Sequence, residues 1–462
     1  MAFSSVQFLF IFLPLSLAVY WLLPKALRNG ALGAFSLLFF AWAGLKGAAI
    51  LLALAAVTWL GGLLLEKLPR KKPLLILLIA AHLAVLAAFK YAGFAARSIN
   101  ALVPDLLPVF APALPLGISF YVFTAIGYLA DVSCGKVAAA RSPFRFFVFL
   151  AFFGHGPSGP IVRYDQQLPC LDAKAAERQV GLDRFCYGIK RFVLGLAKKA
   201  IIADQLALIY SRVTSVPAAT VPAPALVLGY LAYMMQLYFD FSGYSDMAIG
   251  IGSFFGLELP ENFNYPYLSC SVGEYWRRWH MSLSGWFRDY VYIPLGGSKK
   301  GEGRTYLNLL VVWLFTGLWH GSTLNFLLWG LFLFALISLE RLGWGKVLRR
   351  SQVISRLYML LVIPLSWMLF AIPSLKDIGS YIGRLFAFSG GTAVHARDFL
   401  VYGRQYAVVL VIGLLVSTPL PEKLWRRIRT SPLGTVLLLV LFWVCVYCMA
   451  VATNDPFMYF SF

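Results

Sequence analysis

AAILLALAAVTWLGGLLL, residues 48–65, runs for eighteen residues without a charge and meets EKLPRKK, residues 66–72, at its end. As a helix, a stretch of about 18 apolar residues is long enough to cross a hydrocarbon core about 30 Å thick. A basic loop directly after it is what the cytoplasmic margin of a bilayer selects. The same alternation extends in both directions. Val6–Leu23, Ala31–Leu45, Leu74–Ala88 and Leu116–Ala130 read as further spans. The basic segments PKALRNG (24–30), EKLPRKK and GKVAAARSPFR (135–145) then fall on one side, which puts the N-terminus outside.

Composition agrees with that reading. The 462 residues are 60% hydrophobic, 16% aromatic and only 13% charged, against about 25% charged in an ordinary soluble domain. Mean hydropathy is +0.75. There is too little charge to cover a soluble surface. The expectation is an all-α polytopic membrane protein with about a dozen transmembrane or re-entrant helices. The net charge of +20 sits in short loops and faces lipid headgroups, so it does not point to nucleic acid. A basic mouth for a phosphate-bearing substrate is a second use for it. Six cysteines are scattered, and Cys445 and Cys448 share an apolar run. They read as small apolar filler, and no disulfide framework is expected. The N-terminal stretch lacks a basic leader and a small-residue cleavage site, so it reads as a retained span.

Beyond residue 145 the spans are less regular. Phe146–Phe153 breaks at GHGPSGP and is too short to cross alone. Phe192–Leu208, Ala223–Phe239, a short glycine-interrupted Ala248–Phe255, Leu307–Trp319, Leu324–Leu339, Leu357–Phe370, Ala407–Val416 and Val436–Val451 complete the set. The longest polar stretches, 158–191 and 258–304, are too small for a soluble domain. One membrane domain is therefore expected over 1–462. N-terminal spans occupy 1–131, a core 132–345 and C-terminal spans 346–462.

Three polar clusters interrupt this apolar chain. EYWRRWHMSLSGWFRDYVYIPLGG, residues 274–297, crowds His280, Arg277, Arg278, Arg288, Glu274 and Asp289 among tryptophans and tyrosines. As one helix it places Trp276, His280, Ser284 and Phe287 on one face, until proline and glycine end it. Such a helix is too polar for lipid. It is either a broken, re-entrant segment buried in protein or an interfacial helix with its aromatics at headgroup level. In the second cluster, FTGLWHGSTLN (315–325), His320 ends an apolar run with Asn308 and Thr316 along its stripe. Thr316, one turn below, is placed to hold a ring nitrogen. A neutral imidazole here can take a proton from a hydroxyl, or it can bridge helices structurally. The third cluster, LYFDFSGYSDMAIG (237–250), puts Asp240 and Asp246 at the end of a span. Their expected role is to neutralise the arginines of 274–297. There is no P-loop, HExxH, GxSxG or metal-ligand pattern.

These segments resemble a known family. FDFSGYSDMAIGIG (239–252), ENFNYPYLSCSVGEYWRRWHMSLSGWFRDYVYIPLGG (261–297), RTYLNLLVVWLFTGLWHGSTLNFLLWG (304–330) and SGPIVRY (158–164) resemble the membrane-bound O-acyltransferases. The branch resembled is the membrane subunit of bacterial alginate O-acetylation. MAFSSVQFLFIFLPL (1–15) and LPLGISFYVFTAIGYLADV (114–132) match that branch as well. The resemblance implies a ring of helices around a central funnel or channel in a bacterial inner membrane. It implies His320 and His280 as the catalytic pair. Trp276, Arg277, Trp279, Ser284, Arg288, Asp289, Asn308, Thr316, Trp319, Asp240 and Asp246 are then candidates for lining the channel or binding substrate. It also implies a cytosolic thioester donor, acetyl-coenzyme A or an acyl carrier, with no bound cofactor or metal. A separate extracytoplasmic transferase would complete O-acetylation of an exported polysaccharide. SGP at 158–160 is shared with the D-alanyl-transfer branch, so D-alanyl transfer from a carrier protein is the alternative. A transporter without acyl chemistry would carry internal repeats, and none is found.

Overall fold

The computed structural model describes residues 1–109, 112–171, 180–217, 220–386, 395 and 397–452. Residues 172–179 of the polar stretch 158–191 lie outside them. Among the described residues every regular element is helical. Six helices are long and apolar enough to cross a bilayer: Lys25–Ala43, Leu45–Lys67, Lys71–Asn100, Leu324–Arg350, Gln352–Ala371 and Pro432–Val451. A seventh crossing is formed if Asp398–Gln405 and Ala407–Val416, bent by 66° at their junction, count as one. The stretch 48–65 lies within the Leu45–Lys67 helix, and the basic EKLPRKK separates it from the next. The outward faces are apolar: Leu437, Leu439, Val440 and Trp443 on the last helix are all exposed. An apolar surface of that extent is the signature of a lipid-facing wall.

The chain forms two compact units. One holds residues 1–192, 244–261 and 285–291, and the other holds 193–243, 262–284 and 292–462. In the first, Ile118–Ser133 is buried nearly all round, as expected of a helix without a polar face. This helix and its neighbour Leu45–Lys67 are both pinned to the loop that follows it. Tyr128 Oη accepts from the Ala140 amide at 2.9 Å, and Trp59 Nε1 donates to the Ala140 carbonyl at 2.8 Å. Glu66 accepts from the Ala139 amide and pairs with Arg141 at 2.7 Å. His82, inside the Lys71–Asn100 helix, contacts Thr58 Oγ1 at 2.8 Å and the Leu78 carbonyl at 2.7 Å. It is a helix-bridging histidine. Phe3, Phe8, Phe12, Phe39 and Phe153 form an aromatic core, with ring centroids between 4.8 and 6.3 Å apart.

In the second unit, Glu302–His320 and Leu324–Leu339 form a tight helical hairpin. A Cβ on Gly317 would stand 2.5 Å from the Phe326 carbonyl oxygen, and one on Gly321 would collide with the Phe326 ring. The glycines of GLWHG are therefore the price of close approach. Asn325 Nδ2 donates to the Phe370 carbonyl at 2.9 Å and ties the end of Gln352–Ala371 to this turn.

One expected boundary is overturned. Ala223–Phe239 and Ala248–Phe255 are parts of a single helix, Ala223–Phe254, so Asp240 and Asp246 lie within it rather than at a span's end. The helix continues because its charges are paired laterally. Asp240 meets Lys199 at 3.0 Å in the second unit, and Asp246 meets Arg191 at 2.7 Å in the first. Glycine lets the backbones approach: a Cβ on Gly243 would lie 2.6 Å from the Gly195 carbonyl oxygen, and one on Gly250 2.7 Å from that of Gly188.

Candidate functional site

The segment 274–297 is not one helix. Val272–Arg278 ends at Trp279, and a new helix starts at Met281. His280 stands at the break with φ +43°, a left-handed backbone that a non-glycine residue adopts only under constraint. The expected common face of Trp276, His280, Ser284 and Phe287 is thus broken. The constraint comes from Asn262. Its Oδ1 accepts from the Ser282 amide at 3.2 Å and the Ser282 hydroxyl at 2.9 Å, and it lies 3.1 Å from His280 Nδ1. The amide of Ser282 can only donate, which fixes that amide atom as oxygen. His280 Nδ1 must then carry the proton, and Nε2 is the basic nitrogen. The ring is 1% exposed. His280 lies outside the helices that are long enough to cross a membrane. Burial pushes its pKa below the usual histidine range.

The short helix before His280 is anchored at its N-terminus. Ser271 caps it through the Glu274 amide at 3.0 Å. Glu340 accepts from the Val272 and Gly273 amides at 2.6 and 3.0 Å. A carboxylate is well suited to the positive end of a helix. The anchored helix presents Trp276 and Trp279 to an aromatic cluster. Trp276 lies 5.0 Å from Trp313 and 5.5 Å from Trp329, and Trp279 lies 4.9 Å from Trp367, between ring centroids. The Tyr275 hydroxyl accepts from Trp367 Nε1 at 3.2 Å.

His320 enters the same cluster from the last turn of Glu302–His320. It is 4% exposed, with Trp329 and Phe370 each edge-on at 5.0 Å. Trp319 stands beside both histidines, its ring 4.7 Å from His320 and 6.3 Å from His280. The structure therefore brings His280, His320, Trp276, Trp279 and Trp319 into one aromatic-walled region of the second unit. Phe241 packs edge-on against His280 at 4.7 Å.

Other candidates play different parts. The Thr316 hydroxyl donates to the Val312 carbonyl at 2.8 Å, one turn back, instead of holding the His320 ring. Asn308 Nδ2 donates to the Gly297 carbonyl at 2.9 Å and fastens the glycine turn to the helix. The Ser284 hydroxyl reaches the Trp279 carbonyl at 3.5 Å. Arg277 is exposed. The arginines of 274–297 do not draw on Asp240 or Asp246, contrary to expectation. Arg278 pairs with Glu274 at 2.9 Å. In the first unit Asp289 takes Arg288 at 2.7 Å and Arg163 at 2.6 Å. Asn262, Glu340, Trp329, Trp367 and Phe370 were not anticipated. Asn262 sits in ENFNYP without a distinguishing pattern, and the aromatics lie in apolar runs that look like ordinary span.

A family model, MBOAT, the membrane-bound O-acyltransferase family, matches residues 138–377, which include both histidines. Probable alginate O-acetylase AlgI of Pseudomonas putida is 35% identical, covering 100% of this chain and 100% of its own. The chain belongs to the membrane-bound O-acyltransferase family. The peptidoglycan O-acetyltransferase of Helicobacter pylori is 30% identical over 86% of this chain and 83% of its own. The teichoic acid D-alanyltransferase of Bacillus subtilis is 31% identical, but over only 47% of this chain and 56% of its own. This MBOAT chain is a membrane-embedded O-acyltransferase of the alginate O-acetylase-like branch.

Proposed function

We propose that this chain moves an acetyl group from acetyl-coenzyme A in the cytosol across the inner membrane, for O-acetylation of an exported polysaccharide. In this reading, its helices ring a funnel and its N-terminus lies outside. The chain works as one catalytic domain with a separate extracytoplasmic transferase. The observation that carries it is the placement of His280 and His320 beside the same indole, Trp319, among further indole and phenyl rings. Full-length likeness to an alginate O-acetylase supports acetyl over D-alanyl transfer, for which the likeness covers under half of the chain.

The chemistry needs one base and one dry passage. Coenzyme A carries phosphates and stays in water, whereas an acetyl group is small enough for a narrow path. An acceptor hydroxyl or thiol attacks the thioester carbonyl carbon, and His320 removes its proton. The new acyl bond forms, the carbon–sulfur bond breaks, and the departing thiolate regains the proton from the imidazolium. His280, with Nδ1 committed to Asn262, offers Nε2 to orient the acceptor or share that proton. The aromatic walls exclude water, which would otherwise hydrolyse the thioester.

The purified full-length protein, given radiolabelled acetyl-coenzyme A or a D-alanyl carrier protein, distinguishes the donors. Label leaving acetyl-coenzyme A, with the D-alanyl carrier untouched, is the expected outcome. The reverse pattern would replace acetyl with D-alanyl transfer.

A further inference from the structure

The helix Leu420–Ile428, LPEKLWRRI, lies in sequence between the apolar helices Ala407–Val416 and Pro432–Val451. Leu420, Leu424 and Ile428 recur at every fourth residue and share one face, Lys423 and Arg426 lie off that face, and Arg427, three residues after Leu424, stands at its edge. Leu420 and Leu424 are 54% and 63% exposed, and the three basic residues are exposed as well. A helix that is apolar on one side, cationic on the other and followed directly by a span is built to lie in the headgroup layer. Its one acid is occupied by the protein. Glu422 Oε1 accepts from Arg426 Nε at 3.0 Å, and Oε2 accepts from the Tyr265 hydroxyl at 2.5 Å. Lys423 and Arg427 are therefore not neutralised by the acid of their own helix.

Tyr265 leads to the site. It holds a left-handed backbone, φ +45°, one residue after Asn264, whose amide donates to the Arg278 carbonyl at 2.9 Å. Three residues before it is Asn262, which holds His280 Nδ1 and both donors of Ser282. Three links thus join the cationic helix to His280: the Glu422–Tyr265 bond, the backbone of 262–265, and Asn262. Both non-glycine left-handed residues of this unit, Tyr265 and His280, lie on this path among the described residues.

We propose that Leu420–Ile428 docks on anionic phospholipid headgroups, and that Glu422 and Tyr265 transmit this contact to the order of the 262–282 segment carrying His280. The regulatory meaning of that coupling rests on His280 belonging to the acyl-transfer site. The test does not, because it reads hydrogen exchange and not turnover.

Full-length protein is reconstituted into phosphatidylcholine bilayers, with or without about one-third phosphatidylglycerol, at low salt. Amide exchange is followed at 420–428 and 262–282. Anionic lipid is expected to slow exchange several-fold in both segments, and high salt to reverse it. Lys423→Gln/Arg427→Gln, which leaves Arg426 on Glu422, should lose both responses. Tyr265→Phe should keep the response at 420–428 and lose it at 262–282. A wild-type 420–428 segment indifferent to lipid charge would overturn the docking. A responsive 420–428 with an unchanged 262–282, or a Tyr265→Phe protein whose 262–282 still responds, would overturn the coupling. Failure of acetyl transfer itself would leave these readouts untouched.

Discussion

His320→Gln is expected to lower polymer acylation by about 10²–10⁴-fold, the usual contribution of a positioned general base. Glutamine keeps much of the volume and the polarity of the ring. The edge-on contacts with Trp329 and Phe370 then lose shape but not their filling. Alanine would remove the base and also open a void beside the Trp329 and Phe370 rings, costing about 2–4 kcal/mol by analogy with other large-to-small core changes. Comparing the two variants separates lost chemistry from lost packing. Acylation is measured in membranes with matched protein levels, beside the thermal midpoint of the purified protein. A His320→Gln protein with near-normal turnover would remove His320 from the role of base.

Lys199→Met should have the largest effect on stability. The Lys199 ammonium meets Asp204 at 2.7 Å and Asp240 at 3.0 Å, and the Asp240 side chain is 2% exposed. It stands in the π-helical turn Lys198–Ala203, a register that lets an extra side chain be directed into the protein. Removing the ammonium takes a counter-charge from both carboxylates, Asp240 being the more buried, which costs about 3–5 kcal/mol. Lys199→Met/Asp240→Leu removes the two most buried charges and should recover much of that loss, because a well-packed apolar pair often matches a buried ion pair and the remaining Asp204 is more exposed. Denaturation midpoints of the single and double variants decide the matter. A single variant as stable as the wild type would mean that Asp240 is already neutral or satisfied elsewhere.

The sequence and the structure agree most where lipid acts as solvent. In hydrocarbon every backbone polar group must be satisfied within its own helix, so an uninterrupted apolar run such as 48–65 has one outcome. Among the described residues six or seven crossings meet the length requirement, where about a dozen transmembrane or re-entrant helices are expected. Several expected spans, among them Leu307–Trp319, belong to helices that begin with charge. Within the polar clusters local pattern loses its authority. Nothing between Arg278 and Met281 breaks a helix by propensity. The break exists because Asn262, distant in sequence, holds His280 and Ser282. Ser-Gly-Tyr-Ser-Asp within 242–246 looks like the end of a span. It is helix interior because Arg191 and Lys199 supply counter-charges that no local window contains. The motifs single out His280 and His320 as candidates, and the structure sets both beside Trp319. The indole and phenyl walls were not, since an aromatic that lines a site and one that faces lipid read alike.

The left-handed backbone at His280 has a consequence for experimental controls. Glycine and asparagine tolerate that conformation, whereas alanine pays about 1–2 kcal/mol for it. His280→Ala therefore mixes two perturbations, a missing imidazole and a strained chain, and its phenotype would not be attributable to either. His280→Asn removes the basic nitrogen while respecting the backbone, and it is expected to accumulate and melt like the wild type. Loss of acylation in that variant, read against its melting curve, would report on the imidazole alone.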